Sequence, residues 1–526
     1  MHGDQKTSVI SHGSHSRRSV LKQGAAIALA TTLPQISFAD TPQKGGRLRV
    51  GLAHGATSDS LDPAVVNTHG YLGVLNQSMN NRLIGIAVDG TLEPELALSW
   101  EASDGAKTWA VKLRPGVEYH DGRTMKAEDV IASLRYHGKE DSTSSAKTLL
   151  NDVEDMKVDG ADTVVFTLAN ADTDFPHILA DTNFMIRPSV DGEMDWQSNA
   201  STGPFILKEY EPGVRAFFVK NPNYFKEGLP HFDELELLTI ADQSARTNAL
   251  ITGSVDVIDR VEFKTSHLLG RNPGVKVEET TGMLHYTLPM RSDTAPLDDN
   301  NVRLALKYAI NREDLLEKVL YGHGVVGNDH PVSINNPFHN SELPQRTYDP
   351  DKAKFHLKEA GLDKLSIPIH LADAAFAGAV DAGVLYREHA AAADIDLEVV
   401  REPNDGYWSN VWMKKPMYAS YWIGRTSTAA MLRLGYAATA DWNEGFFQNE
   451  RFNQLLTQVT SELDPEVQRE MYWEMQALLN EKGGSVIPMF GNYVFAVSTK
   501  LGHGKMSGIA DLDGQKLAER WWFNET

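Results

Sequence analysis

Apolar and polar positions recur at two periods along the chain, and stretches of each period interleave. In GGRLRVGL (45–52) Leu48, Val50 and Leu52 fall at every second position behind a glycine start, which predicts a strand. TVVFTL (163–168) repeats that pattern, and TWAVKLRPGVEYHDG (108–122) reads as strand, turn, strand, turn. STGPFILKEYEPG (201–213) reads as a loop feeding a strand. The helical period takes over in KAEDVIASLRYH (126–137), whose acidic first turn suits the positive end of a helix dipole. DQSARTNALITGSVDVID (242–259) predicts a helix, a glycine stop and a strand. The clearest helical region is 298–322, with Leu304, Leu306, Ala309, Ile310 and Leu315 on apolar phases. DPDKAKFHLKEAGL (349–362) offers Asp349 as a cap, Pro350 in the first turn and Gly361 as a stop. PEVQREMYWEMQALLNEKGG (465–484) is a long amphipathic helix of the same design. Strands alternating with helices predict an α/β fold.

The first 39 residues break this pattern. Arg17 and Arg18 are followed by Leu21 and Lys22, then by the mildly apolar AAIALATTLP and by SFA before Asp40. This resembles a twin-arginine export signal cleaved after Ala39, with Val20 where that signal usually has Phe. The apolar stretch is far shorter than the roughly 20 residues of a membrane span, and no later run reaches that length. The expectation is a soluble, exported, periplasmic protein. Among its 526 residues there is no cysteine, so the N-terminus lacks the thiol that lipid anchoring needs. Disulfides, thiolate metal sites and thiol nucleophiles are excluded on the same ground. A composition of 41% hydrophobic and 23% charged residues is ordinary for a globular protein, and the length allows two or more domains. The formal net charge of -21 argues against a nucleic acid or an anionic membrane as the main partner. It does not decide the charge of a small ligand, because one pocket can oppose the global field.

Several segments come in a telling order: KGGRLRVG, LDPA, LEPELALSWEASDGAKTWAVKLRPGVEYHDG, AEDVIASL, STGPF, KNPNYF, DNNVRLALKYAINREDLL and YDPDKAKFHLKEAG, then the helix ending near Asn480. Together they resemble extracytoplasmic solute-binding proteins of ABC importers, in the dipeptide, oligopeptide and nickel-type branch known as family 5. The resemblance covers nearly all of residues 44–500. It implies a two-lobed periplasmic binding protein clamshell of α/β type, with a ligand cleft between the lobes. Lobe I would take 40–290, with 500–526 returning to it, and lobe II 296–495. The crossings would lie near 289–293 and 490–498. It also implies a monomer that captures a small-molecule or short-peptide ligand, without cofactor, and passes it to the permease and ATPase complex in the inner membrane.

The chain carries none of the common catalytic signatures. No GxSxG elbow, HExxH pair or Walker A loop occurs. GHGVVG (322–327) fits GxGxxG, but it follows a helix where a dinucleotide site needs a strand, so it reads as a helix stop and turn. His120 and Asp121 adjoin in a predicted turn. His323, His330 and His339 are too loosely spaced to support a metal site. No catalytic residue, metal ligand or cofactor is assigned.

The candidate ligand-binding residues are Arg425, Trp422, Gly424, Thr426, Tyr407, Trp408, Asn443 and Arg291. Most of them lie in a stretch, 407–447, that holds ten aromatic residues. Core packing accounts for most of those rings, Trp412 and Tyr418 among them. The resemblance places Tyr407 and Trp422 at the cleft. It also implies that the Trp-x-Gly of this segment is followed, in peptide binders, by an aspartate that pairs with the peptide α-ammonium. Here the segment is WIGR, and Arg425 reverses the charge. A guanidinium would repel an ammonium and would hold a carboxylate, sulfonate or phosphate through a charge-assisted, bidentate pair. Against this stands a structural role, with Arg425 paired to Asp441 or Glu444. Arg291 is a second basic candidate, at the expected lobe crossing, where a hinge or surface role competes. A ring cage beside an arginine would also suit a betaine-like or opine-like zwitterion. An exported hydrolase or a peptide-holding chaperone on the same scaffold is the alternative class.

The export reading makes a direct prediction. Replacing Arg17 and Arg18 together by Lys should leave the precursor in the cytoplasm, as fractionation followed by immunoblotting would show. Normal periplasmic accumulation of the double variant would overturn it.

Overall fold

The computed structural model describes residues 42–65, 70–144, 146–425 and 427–525. The export segment with Arg17 and Arg18, and Thr426, lie outside the described residues.

A mixed nine-stranded sheet organises the chain. Arg47–Leu52 lies inside it, paired in parallel with Glu234–Thr239 on one side and Val257–Ile258 on the other. Leu48, Val50 and Leu52 are fully buried, as their alternation predicts. Next in the sheet come two long strands, Val275–Pro289 and Ser485–Ser498, running antiparallel. Register shifts between Thr281 and His285 and between Tyr286 and Leu288 interrupt their ladder. Such irregularities bend and twist a strand pair.

The hydrophobic cores separate along these two strands. Val275, Val494 and Ala496 pack with Leu250, Val255, Ile258 and Leu269. Two further clusters, around Val111, Phe166 and Phe184 and around Leu48, Phe218 and Trp521, use residues from the same flanks of the sequence. Beyond the first register shift, Tyr286, Leu288, Val486 and Met489 pack with Leu306, Ile369, Tyr386 and Tyr418. Phe490 joins a neighbouring cluster around Trp422, Leu432 and Met475. The result is two α/β lobes joined through paired strands.

Local elements follow the sequence pattern, with informative departures. Helices form at Ala127–Gly138, Gln243–Ile251, Pro350–Glu359 and Pro465–Lys482. Asp349 caps the third through the Lys352 amide. The region 298–322 is two helices, Asn300–Tyr308 and Arg312–Val319. Asn311 stands between them in extended conformation, and its side chain accepts from the Asp314 amide, starting a second helix. The periodicity runs on because Ala309 and Ile310, in the break, are also fully buried. GHGVVG is a turn followed by a strand, Gly324–Val326, which pairs with Ser485–Ser498. A Cβ on Gly324 would sit 2.3 Å from the Phe490 carbonyl, so this glycine serves backbone approach. In 108–122 only Thr108–Leu113 is a strand; Tyr119–Gly122 is a turn closed by the Gly122 amide on the Tyr119 carbonyl. His120 bonds the Gly203 carbonyl at 3.0 Å, and Asp121 pairs with Arg123, so the two adjoining side chains serve separate structural contacts.

The second lobe carries a buried charge cluster. Asp329 accepts both oxygens' worth of bonds from Arg312 at 2.8 Å, one from Arg346 at 3.0 Å, and the Ile487 amide at 3.0 Å. Burial alone would raise its carboxyl, but Arg312, Lys307 and Arg346 outweigh that and hold it below the usual range. The Lys307 ammonium donates to the Leu479 and Asn480 carbonyls at the end of the Pro465–Lys482 helix. Removing the single anion strands three cations. Asp329→Ala should lower unfolding free energy by about 3–5 kcal/mol, read from the denaturation midpoint in urea; a change under about 1 kcal/mol would refute this account.

Candidate functional site

Thr287, Tyr286 and His285 of the first long strand pair antiparallel with Ser420–Trp422, a three-residue strand at the sheet's edge. The two-residue period sends Ser420 and Trp422 to one face and Tyr421 to the other. On the inward face they meet Glu444. Its carboxylate takes Trp412 Nε1 at 2.5 Å and Ser420 Oγ on Oε1, and Trp422 Nε1 at 2.8 Å and Thr287 Oγ1 at 3.2 Å on Oε2. The Tyr418 hydroxyl donates to the Glu444 carbonyl at 2.8 Å. Burial pushes the Glu444 carboxyl up, while the four side-chain donors pull it back. No lysine or arginine forms an ion pair with it among the described residues.

Around this acid runs a chain of aromatic rings. Trp422 lies 5.8 Å from Trp442, Trp442 lies 6.2 Å from Trp412, Trp412 lies 6.3 Å from Trp408, and Trp408 lies 5.7 Å from Tyr421. Trp422 is buried and Trp412 half-buried, whereas Trp408, Tyr421 and Trp442 stay 41%, 38% and 44% exposed.

After Trp422 the chain passes Gly424, where an added Cβ would lie only 2.0 Å from Met283 Cβ, and reaches Arg425. This guanidinium is half-buried and makes no ion pair among the described residues; it donates one long bond, 3.4 Å, to the Ile423 carbonyl. Burial lowers its pKa, partly countered by the charge of Asp181. Neither Asp441 nor Glu444 pairs with it. Ser427 then caps the helix Thr428–Tyr436 and also donates to Asp174 Oδ2. Asp174 and Asp181 belong to the other lobe, so Arg425 and Ser427 lie where the lobes meet.

The remaining candidates are spread out. Tyr407 is 1% exposed, with its hydroxyl on the His370 and Ala419 carbonyls, so it packs in the core and has no surface to offer a ligand. Asn443 is likewise buried and spends its amide on Ala437 and Phe447, a turn-holding role. Arg291 pairs with Asp293, bonds the Met413 carbonyl and covers the Phe446 ring at 4.0 Å; those contacts tie down a corner. His330 and His339 have ring centroids 5.6 Å apart, while His323 sits between Glu279 and Ser266. Among the described residues no group of three His, Cys, Asp or Glu could hold a metal ion. A cavity of about 800 Å³ lined by Phe263, Lys276 and His323 opens elsewhere along the connecting strands and includes none of the candidates. Sequence reasoning missed Glu444 as a hub, along with Ser427, Asp174 and Asp181. Nothing in WNEG separates a buried acid from a surface one.

Comparison with known proteins gives a consistent picture. The family model "Bacterial extracellular solute-binding proteins, family 5 Middle" matches residues 91–444. The chain is 24% identical over 515 residues to the probable D,D-dipeptide-binding periplasmic protein DdpA of Escherichia coli (strain K12), covering 90% of this chain and 94% of that protein. It is 28% identical over 332 residues to the nickel-binding periplasmic protein of the same organism, covering 59% of this chain and 62% of that one. Among solved structures, HbpA2 from Haemophilus parasuis superposes with a TM-score of 0.79 at 19% identity, covering 89% of this chain and 98% of that one. The peptide complex of DppA from Helicobacter pylori gives 0.69 at 20% identity, covering 92% and 99%. These structures share the two-lobed binding-protein fold. Among the described residues no helix is long and apolar enough to cross a membrane.

The strap 172–174 joins the lobes directly. The Thr173 amide bonds the Thr460 carbonyl at 2.7 Å, its hydroxyl bonds the Val459 carbonyl at 3.0 Å, and Gln468 donates to that hydroxyl at 3.1 Å. Burial, then the neighbouring Asp174, pushes the Asp172 carboxyl up to about 6. Asp174 is also buried, but His177, Ser427 and Arg433 hold it below its ordinary value, so it stays ionised above pH 4. Asp172 therefore contributes stability that is complete below about pH 4 and is lost as pH rises through 6. Asp172→Asn keeps the acceptor for the Asp174 amide and abolishes the charge. The variant should be more stable than the parent by about 1–3 kcal/mol at pH 7.5 and equal to it at about pH 3, by thermal unfolding. Equal midpoints at pH 7.5 would refute the assignment.

Proposed function

The chain belongs to the bacterial extracellular solute-binding proteins of family 5, and we propose that it captures a peptide or a small, peptide-like anionic solute for delivery to an ABC importer. Its relatives are solute-binding proteins, and the proposed role is capture, without bond breaking. The observation that carries the ligand class is Arg425: a half-buried guanidinium at the meeting of the lobes, with no ion pair among the described residues. A desolvated cation gains more from an anionic ligand group than an exposed one does. The lobes, taken as 40–290 with 500–526 and as 296–495, would close on the solute by a hinge movement in the connecting strands. The proposal includes export by the N-terminal signal, residence in the periplasm as a monomer, and release to a permease and its ATPase. A zwitterionic solute of betaine or opine type is the second reading, favoured by three exposed rings, Trp408, Tyr421 and Trp442, in the same aromatic-rich segment as Arg425.

Thermal-shift screening of a metabolite panel identifies a working ligand, since a ligand at 100 times its Kd stabilises by about 2.7 kcal/mol. Calorimetric titration of that ligand and of dialanine into three proteins then tests the role of Arg425. Arg425→Ala should weaken the ligand by tens- to thousands-fold, equivalent to about 2–5 kcal/mol, with little loss of stability. Arg425→Asp should be worse for that ligand and should gain affinity for dialanine, whose ammonium finds a carboxylate. Tight dialanine binding by the parent, unchanged in Arg425→Ala, would refute the anion clamp.

A further inference from the structure

Glu444 presents a physical problem that its own surroundings leave half solved. It is 4% exposed, and its four acceptor positions meet four donors. Two of those donors are indole N–H groups, one on each oxygen, and an indole nitrogen can only donate. The ionised carboxylate accepts from all four, whereas a protonated one would need Ser420 or Thr287 to turn and accept. Hydrogen bonds satisfy its lone pairs but supply no counter-charge. Arg291, the guanidinium that shares the Tyr418 ring with it, is already paired with Asp293. A buried charge without an opposite partner is costly.

The two indoles that hold the carboxylate belong to the ring chain that leads outward to Trp442, Trp408 and Tyr421. An anion accepting from an indole N–H adds electron density to that ring, and aromatic faces attract cations through their negative quadrupole. We infer that the ring platform Trp408, Trp412, Tyr421 and Trp442 is a subsite for an alkylated ammonium group of the solute, and that Glu444 is its positioning residue, holding Trp412 and Trp422 and supplying the missing negative charge from beneath. The inference deepens the proposed solute-binding role and rests on it: the solute would carry an anionic group toward Arg425 and an ammonium toward the rings.

The test uses two probes of nearly equal shape, choline and its neutral isostere 3,3-dimethylbutan-1-ol, titrated at matched ionic strength with tryptophan fluorescence as the readout. The parent protein should respond saturably to choline, with half-saturation roughly ten-fold below that of the neutral alcohol. Glu444→Gln keeps the side-chain shape and removes the charge, but sets its amide NH2 against one indole donor, and a ring displaced in this way would weaken choline and the alcohol alike. The variant should bring choline close to the alcohol and leave the alcohol nearly unchanged, an outcome that a purely structural role would not produce. Trp408→Leu and Trp442→Leu alter exposed rings that the fold tolerates losing, and each should weaken choline several-fold; they decide the matter if Glu444→Gln does not fold. Equal responses of the parent to choline and the alcohol, or full discrimination retained by Glu444→Gln or by both Trp variants, would overturn the subsite. In that case, Arg425-dependent binding of the screened ligand would leave the solute-binding proposal standing. Absence of any solute binding would sink that proposal as well.

Discussion

The antiparallel pairing of Val275–Pro289 with Ser485–Ser498 is the constraint on which the rest of the structure depends. Both lobes draw core residues from the same two strands, Val275 and Val494 on one side and Leu288 and Val486 on the other. Both faces are buried over His285–Pro289 and Ser485–Gly491, so a slip of one residue would exchange side chains between two buried faces and break the packing of the second lobe on both sides. The first register shift falls where the cores change over, between Thr281 and His285, and the second lies within the core of the second lobe, between Tyr286 and Leu288. The site inherits this order: His285, Tyr286 and Thr287 hold the edge strand Ser420–Trp422, and Thr287 itself donates to Glu444.

The two buried acids of the second lobe show how different solutions to one problem divide structure from site. Asp329 is surrounded by Arg312, Arg346 and Lys307, and its charge is consumed inside the fold. Glu444 is surrounded by donors that carry no charge. A cluster of the first kind fixes packing and leaves nothing for a ligand. One of the second kind fixes two indoles and leaves an uncompensated field beside exposed rings. The charge census of the chain, -21, reveals neither arrangement, because it counts both acids alike.

Strand and helix periods were legible wherever burial is one-sided. Leu48, Val50 and Leu52 announce their strand, and Asp349 with Pro350 announces a helix start that forms as read. The reading lost resolution where burial continues through a break: Ala309 and Ile310 are buried in the gap that Asn311 opens, so two helices look like one periodic run. It lost more at the site. An aromatic-rich segment does not say which ring faces inward; Tyr407 is core and Trp408, its neighbour, is 41% exposed. Tertiary pairing decides that, through the His370 and Ala419 carbonyls that capture the Tyr407 hydroxyl. Arg425 could be singled out because it reverses the charge that the resemblance implies, whereas Glu444 could be weighed only as a possible partner for that arginine. Its actual partners, Thr287, Trp412, Ser420 and Trp422, are brought to it by three separate segments, and no local pattern encodes that meeting.

The separation of Arg425 from Glu444 is itself a functional argument. Two opposite charges in one short stretch of chain would ordinarily find each other and cancel. Here Ser420 and Trp422 face inward to the carboxylate, while the chain carries Arg425 past Gly424 toward the other lobe. Gly424 passes close against Met283, where a Cβ would lie only 2.0 Å from the Met283 Cβ, so any larger residue would shift the backbone there. The aromatic run before the arginine thus has two jobs. It delivers a guanidinium that is half-buried and makes no ion pair among the described residues. It also holds the carboxylate at a distance, wrapped in indole N–H bonds, so that neither charge neutralises the other. On the proposed reading, a site built in this way favours a solute whose own charges are likewise held apart.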